Sequence, residues 1–491
     1  MTNDQKKESI EGFDGVILHP AFDIKDGILT LGFRYRDKSK KMKPLIAAVH
    51  NGAINLYTKD EVSITAADGK NYFIERGKRL LLDINERWSL KDLSALTDEL
   101  QDVTVRGIPK NTAIFKDLED IIRRHVELEQ EIDYALVAAW TMGTYFHRVF
   151  SAFPFLHAKG PKGSGKSQLL DTLNQLAFNA VKARPTLAAL GDTVETLHGT
   201  MLIDEAGSLA RDNNEELVET LAGSYKKNGF KRRVTNFDKK RGRETIEFET
   251  FSPKAFASTK ELPENVRDRC LTIPLIRSAR NLSDPNDDSP LWLEIRSKLY
   301  RFLIGTYQEV ESEYVIRRAE YRSSNHIAGR NLEMWLPFET MLRISGASEE
   351  KIGECLKRFR MQYQFTQSDL GELDVAIIDA VLVAMGMGNE IVLRPKDIAS
   401  GLVSADDSLD PVLDPAKTDR QKAGLVGSAV KRMNLADEKL GRDKHGERYR
   451  FTREKVERIK NSYCPTPPTP TADIPDVLGI VGGVESDREP S

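Results

Sequence analysis

Two short segments of this chain have side chains and spacing suited to chemistry. The first is Gly160-Pro161-Lys162-Gly163-Ser164-Gly165-Lys166-Ser167, with three glycines ahead of a lysine and a hydroxyl. Glycines let a loop fold back so that successive N–H groups point inward and cradle an anion. The run FPFLHAK before it reads as a short buried strand. After it, Leu169, Leu170, Leu173 and Leu176 share one helical face. A strand, a Gly-rich loop and a helix in that order make a phosphate-binding P-loop. The helix start adds unsatisfied donors and a positive end. Lys166 is predicted to reach the β- and γ-phosphates of ATP, and the Ser167 hydroxyl to ligate Mg²⁺.

The second segment is Thr200-Met201-Leu202-Ile203-Asp204-Glu205, an apolar strand ending in two carboxylates. The C-terminal edge of a parallel sheet is where ligands bind, so this strand is expected to bring its acids beside the phosphates. Asp204 would hold Mg²⁺, mostly through water. Glu205 would orient and polarise the attacking water, because phosphoryl transfer needs positioning and charge stabilisation above all. A third strand, Lys254-Ala255-Phe256-Ala257-Ser258-Thr259, ends in two hydroxyls. Placed between the other two, it would aim Ser258 or Thr259 at the water or the γ-phosphate; a plain capped strand end is the alternative.

Positioning these groups takes a sizeable scaffold. With 491 residues the chain exceeds what one core usually serves, and two to four domains are expected. Residues 1–110 alternate short apolar runs with DG and NG turns and read as a β-rich domain. Residues 111–150 form a helical linker, with Ile121, Ile122, Val126, Leu128, Ile132, Leu136 and Ala139 at roughly helical spacing. Residues 151–280 alternate strand and helix signals, so the fold class is α/β, a mostly parallel sheet flanked by helices. Residues 281–368 read as a helical lid and 369–460 as a small unit of three helices and a β-wing. Residues 461–491, rich in Pro, Thr and Asp, read as a disordered tail.

Composition narrows the function classes. Lys plus Arg number 72 against 75 Asp plus Glu, a net charge of −3, so any nucleic-acid contact must be local. Cys270, Cys355 and Cys464 lie far apart without CxxC spacing, which fits neither a disulfide framework nor a zinc site. The N-terminus lacks the apolar core of a signal peptide, and no run reaches the ~18 apolar residues of a membrane span. A cytoplasmic protein with no membrane partner is expected.

The ordered set GPKGSGKS, MLIDEAG, SPKAFAST and ELPENVRDRCLTIPL resembles the AAA+ ATPases. More narrowly, the chain is similar to the helicase-type ATPases of plasmid, phage and integrative-element replication, relatives of the minichromosome-maintenance and superfamily 3 helicases. The likeness covers about Ala139 to Arg343, with a weaker echo to Phe451. It implies a sensor-1 role at Ser258 or Thr259, where the family usually carries Asn. It implies an arginine finger at Arg269, with Arg267 second, completing the site of a neighbouring subunit. It implies a sensor-2 arginine at Arg330 in the lid, and a hexameric ring.

Between the acidic strand and the Ser258 strand lies YKKNGFKRRVTNFDKKRGRETIEFETF, with seven Lys or Arg residues from Lys231 to Arg243. Two β-arms with a basic tip at Lys239, Lys240, Arg241 and Arg243 are expected. Related helicases insert a hairpin here and project it into the ring channel, where basic residues would grip phosphates without reading bases. In the C-terminal unit the order of helices and β-wing is that of a winged helix, and Lys431, Arg432 and Lys444, with Lys422, Arg442 and Arg448, could meet a duplex backbone. The function expected is an ATP-driven DNA helicase or replication-initiation motor on single-stranded or forked DNA, with a primase or other replication proteins as possible partners. An AAA+ machine that remodels a protein partner and a nucleotide-gated DNA-binding switch are the alternatives. A P-loop kinase fits least.

Overall fold

The computed structural model describes residues 15–366, 372–405 and 413–463, except 37–38, 40–41, 51–52, 58–60, 67–68, 76–111, 184–185, 211–213, 230, 239–241, 287–288, 325–326, 328, 414–416, 434 and 444–445. The chain forms two compact units, Met1–Gln362 and Tyr363–Ser491.

The first unit opens with seven short strands: β1 (Gly15–Leu18), β2 (Phe22–Lys25), β3 (Ile28–Arg36), β4 (Met42–His50), β5 (Ala53–Tyr57), β6 (Glu61–Thr65) and β7 (Asn71–Glu75). β2 to β5 form an antiparallel meander, and β1, β7 and β6 a second, three-stranded sheet. Leu18, Ile28, Ile46, Ala48, Val62, Tyr72 and Ile74 pack between them.

Two helices follow, α1 (Thr112–His125) and α2 (Glu131–Thr144). Every residue of α2 from Asp133 to Thr144 is buried, so this helix runs through the interior. Its hydroxyls are satisfied locally, since Thr141 and Thr144 donate to carbonyls of the preceding turn, whereas Asp133 forms an ion pair with the distant Arg358 at 2.9 Å.

The centre of the unit is a five-stranded parallel sheet. Its members in chain order are β8 (Phe155–Lys159), α3 (Lys166–Leu176), β9 (Val181–Lys182), α4 (Leu187–Leu197), β10 (Met201–Ile203), α5 (Glu215–Gly223), a hairpin of β11 (Lys231–Asp238) and β12 (Gly242–Glu249), β13 (Lys254–Ser258), the single turn α6 (Glu264–Arg267) and β14 (Cys270–Pro274). The strand order is β14-β8-β13-β10-β9, and every neighbouring pair is parallel. Continuous burial of Phe155–Ala158 and Met201–Ile203 is what a sheet covered on both faces requires. Three long helices follow, α7 (Pro290–Ser324), α8 (Gly329–Ile344) and α9 (Glu349–Thr366), the last of which contains the boundary at Gln362.

The hairpin leaves the sheet from a reinforced root. Arg148 donates to Glu249 Oε1 at 2.8 Å and lies 3.3 Å from Asp23 Oδ1, so one buried guanidinium joins β2 to the base of β12. The Glu195 carboxylate accepts from the Glu249 amide at 2.9 Å. Just beyond, the buried Lys254 ammonium donates to Thr250 O at 2.9 Å, and to Ser252 O and Oγ at 3.1 Å each, which satisfies its three donors.

The second unit contains α10 (Glu372–Met385), β15 (Glu390–Leu393), α11 (Pro395–Ala405), α12 (Asp419–Arg432), β16 (Glu438–Asp443), β17 (Gly446–Thr452) and α13 (Arg453–Tyr463). The strands form one antiparallel sheet in the order β15-β17-β16. Ile377, Val381, Ile398, Val426, Val430 and Phe451 belong to its core. Thr418 caps α12 in a reciprocal box with Gln421.

Candidate functional site

β8 ends at Lys159 and the chain turns at once through the Gly160–Ser167 loop into α3. Two glycines show why the loop has its composition. A Cβ at Gly160 would collide with the Leu275 carbonyl and the Ser164 hydroxyl. Gly165 caps α3 at φ 85°, a left-handed conformation that an L side chain resists. The first turn of α3 therefore presents its free amides over the loop. The Lys166 ammonium donates to Pro161 O at 2.6 Å, which folds the side chain back across the loop.

The acidic segment arrives from β10, two strands from β8. Ser167 Oγ donates to Asp204 Oδ2 at 2.9 Å. The separation of 37 residues in sequence is thus closed to one hydrogen bond. Asp204 Oδ1 also accepts from the Glu205 amide at 2.8 Å. Glu205 is exposed and has φ 52°, a strained backbone for a non-glycine residue. A hydroxyl and a carboxylate side by side are a donor set that suits Mg²⁺, which takes one or two protein oxygens and fills its other positions with phosphate and water.

β13 runs between β8 and β10, as the sequence implies. Its end completes a cleft of about 510 Å³ bordered by Lys162, Lys166, Ser167, Asp204, Glu205 and Thr259, among others. The two hydroxyls differ. Ser258 Oγ is buried, lies 2.8 Å from His157 Nε2 and donates to Lys260 O at 2.5 Å. Thr259 is exposed on the cleft. A second hollow of about 250 Å³ shares Gly163 with the first and is bordered by Glu127, Gln168, Arg277, Arg280 and Leu282. There Arg280 pairs with Glu127.

The arginines of ENVRDR lie elsewhere. Cys270 pairs with Phe155 and Pro274 with Lys159 in the parallel β14–β8 register. Arg269 therefore precedes the N-terminal end of the sheet, about 13 Å of strand away from the loop that follows Lys159. Its guanidinium carbon lies 5.1 Å from the centre of the Tyr225 ring. Arg330 Nη1 sits 3.6 Å from Asp268 on the same side. Burial first, and the Arg330 charge second, hold Arg269 below the usual arginine range. Arg267 is half-buried on α6.

For the nucleic-acid candidates, the backbones of 231–238 and 242–249 pair as the expected antiparallel arms, with Asp238 opposite Gly242. Lys239, Lys240 and Arg241 fall outside the described residues, and Arg243 is described by its place on β12 alone. In the second unit, exposed Lys431 on α12 lies 3.5 Å from Glu447, which also accepts from Lys439 at 2.6 Å and from the Tyr449 hydroxyl at 2.6 Å. The Lys439 and Tyr449 hydrogen bonds draw the Glu447 carboxyl down to about 2. Arg432 is described by its place at the end of α12, and Lys444 lies outside the described residues.

Two residues here were not singled out in the sequence: His157, buried against Ser258, and Lys260, which borders the cleft beside Thr259. A histidine within the apolar run FPFLHAK was the signal available for the first. For Lys260 there was none, since a lysine after a strand is ordinary.

A parallel sheet flanked by helices, with a Gly-rich loop and an acidic strand end meeting at its C-terminal edge, is the architecture of a P-loop nucleotide-binding core, and it fits an AAA+ core. No protein-family model and no curated protein matches the chain. Among solved structures it is similar to a full-length MCM homolog from Methanopyrus kandleri, at 12% identity over 68% of this chain and 76% of that one, with a TM-score of 0.34. It is similar to the NrS-1 C-terminal region in its apo A form at 10% identity, over 87% and 96% of the two chains, with a TM-score of 0.33. Inhibitor-bound JCV helicase is similar at 13% identity, over 55% and 75%, with a TM-score of 0.23. Among the described residues, no helix is long and apolar enough to cross a membrane.

Proposed function

We propose that this protein is an ATP-hydrolysing motor of AAA+ type that acts on DNA, as a helicase or replication-initiation ATPase. The observation that carries the reading is the 2.9 Å contact from Ser167 to Asp204, which joins the phosphate loop to the acidic strand. In this reading the amides of Gly160 to Ser167 and the Lys166 ammonium gather the triphosphate. Ser167 and Asp204 hold Mg²⁺, which when bound neutralises charge on the β- and γ-phosphates. Glu205 orients the attacking water, and Thr259 borders the γ-phosphate side of the cleft. The second hollow, beyond Gly163, takes the nucleoside.

Arg269, ahead of the N-terminal end of β14, is too far from its own loop to serve it. Arg269, with Arg267 second, is the finger for an adjacent copy, Arg330 is the sensor-2 arginine of the lid, and the working form is a homo-oligomer, a hexameric ring. The hairpin follows the acidic strand and returns into β13, so its root and the nucleotide cleft share one strand. Its basic tip, Lys239, Lys240, Arg241 and Arg243, grips the DNA phosphates. The second unit is a winged-helix-like module whose Lys431, Arg432 and Lys444 contact duplex. The site of action is the cytoplasm.

The test is phosphate release with and without single-stranded DNA. Wild-type protein should turn over many ATP per chain and faster with DNA, and Lys166→Ala should be inactive. Charge reversal at Lys239, Lys240 and Arg241 should remove the DNA stimulation and spare ATP binding. Stimulation unchanged in that variant would sink the DNA role, and a wild-type chain without multiple turnover would sink the motor.

A further inference from the structure

The polar groups at the end of β13 form a chain with one direction. Ser258 has a single hydroxyl proton and donates it to Lys260 O at 2.5 Å. The 2.8 Å contact with His157 must then be donated by the histidine Nε2–H. Burial depresses the His157 pKa to about 4, so the ring is neutral with Nδ1 unprotonated. Thr272 Oγ1, 3.5 Å away, faces that nitrogen. His157 lies on β8, immediately before the phosphate loop, and is fully buried. The relay from His157 through Ser258 to the Lys260 carbonyl ties the loop's own strand to the turn that leaves β13. It draws the 258–260 backbone inward, while the exposed side chains of Thr259 and Lys260 border the cleft.

The charge of the cleft then becomes informative. Lys162, Lys166 and Lys260 line the cleft together with Asp204 and Glu205. Lys260 has no carboxylate partner among the described residues, whereas Lys159, at the end of β8, is paired with Glu261. Lys260 lies beside Gly207, where an added Cβ would be 3.5 Å from the Lys260 Cβ. A lysine with no carboxylate partner among the described residues, on the border of the cleft that holds the two acids, is suited to an anionic oxygen that is present in the triphosphate and absent from the diphosphate.

We propose that Lys260 reads the γ-phosphate, and that His157 and Ser258 are positioning residues that aim it. The lysine supplies by charge what a neutral amide supplies elsewhere in the sensor position, where this chain has only hydroxyls. The inference rests on the nucleotide site proposed above.

The experiment compares Mg²⁺-dependent binding of ADP and of ATPγS, a slowly hydrolysed triphosphate, by the full chain. Lys260→Met should weaken ATPγS about 10- to 100-fold, the loss expected for one charge-assisted hydrogen bond, and leave ADP within about threefold. Lys260→Arg should restore most of the difference. His157→Phe and Ser258→Ala should lower the ATPγS-to-ADP preference while ADP affinity stays at the wild-type level, a selectivity that general destabilisation would not produce. Equal losses for both nucleotides in Lys260→Met, or no loss for either, would overturn the role of Lys260 and leave the nucleotide site standing. Wild-type protein that bound neither nucleotide would overturn both.

Discussion

Glu205 offers a prediction in which stability and activity must move in opposite directions. Its φ of 52° places a side-chain-bearing residue in left-handed space. That conformation costs about 1–2 kcal/mol in an L residue. The side chain is exposed, so its removal forfeits little burial. Glu205→Gly relieves the backbone strain and gives back about 0.5–1 kcal/mol through the greater freedom of glycine in the unfolded chain. The net gain is on the order of 1 kcal/mol. Glu205→Gln keeps the strain and removes only the charge. Both variants should lose turnover by about 10²- to 10⁴-fold, or roughly 2.7–5.5 kcal/mol, with nucleotide affinity little changed. Calorimetry of the three proteins should place Glu205→Gly above wild type by about 1–3 °C, and Glu205→Gln level with wild type. A glycine variant that melted no higher than the glutamine variant would show that position 205 is not strained. One that hydrolysed ATP at the wild-type rate would show that the carboxylate does not prepare the water.

Three further outcomes follow from other contacts. Asp204→Asn leaves the Ser167 hydroxyl a neutral partner, so the Mg²⁺ concentration for half-maximal activity should rise at least tenfold in a metal titration. Arg148→Met strands Asp23 and Glu249 together, and removing one member of a buried pair costs about 3–5 kcal/mol; denaturant titration should show this, with part of the loss recovered when Asp23→Asn is added. His157 titrates near 4 in the folded chain against 6.5 when unfolded, so the unfolded state binds a proton that the folded ring refuses. The stability from this group is complete above pH 6.5 and is lost as pH falls from 6.5 towards 4, about 3 kcal/mol in all. His157→Gln should lessen the acid slope by about one proton.

How legible each part was depended on how local its cause is. The phosphate loop could be read because its glycines answer constraints within a few residues, as the left-handed Gly165 and the crowded Gly160 show. Helices such as α7 and α8, and the arms of the β11–β12 hairpin, announce themselves by apolar spacing and by the turn residues between them. The Ser258 relay could not be read, because the hydroxyl's partner His157 is 101 residues away and becomes a neighbour only through β8–β13 pairing. The proximity of Arg269 and Arg330 was likewise hidden: Arg330, on α8 and 61 positions further along, reaches Asp268 next to Arg269. Arg148 carried no signal either, since its three-way junction joins residues from β2, the turn after α2 and the root of β12.

The amino-acid sequence by itself determined the chemistry available: a lysine and a hydroxyl behind three glycines, two acids after an apolar run, a basic insert ahead of a polar strand end. Only the tertiary structure decided which of these groups meet. Parallel pairing of β8, β13 and β10 brings Ser167 to Asp204 and turns Ser258 inward, while the same register carries Arg269 to the far edge. The physical reason is that loop and cap preferences act over a few bonds, whereas strand order is set by burying both faces of the whole sheet at once.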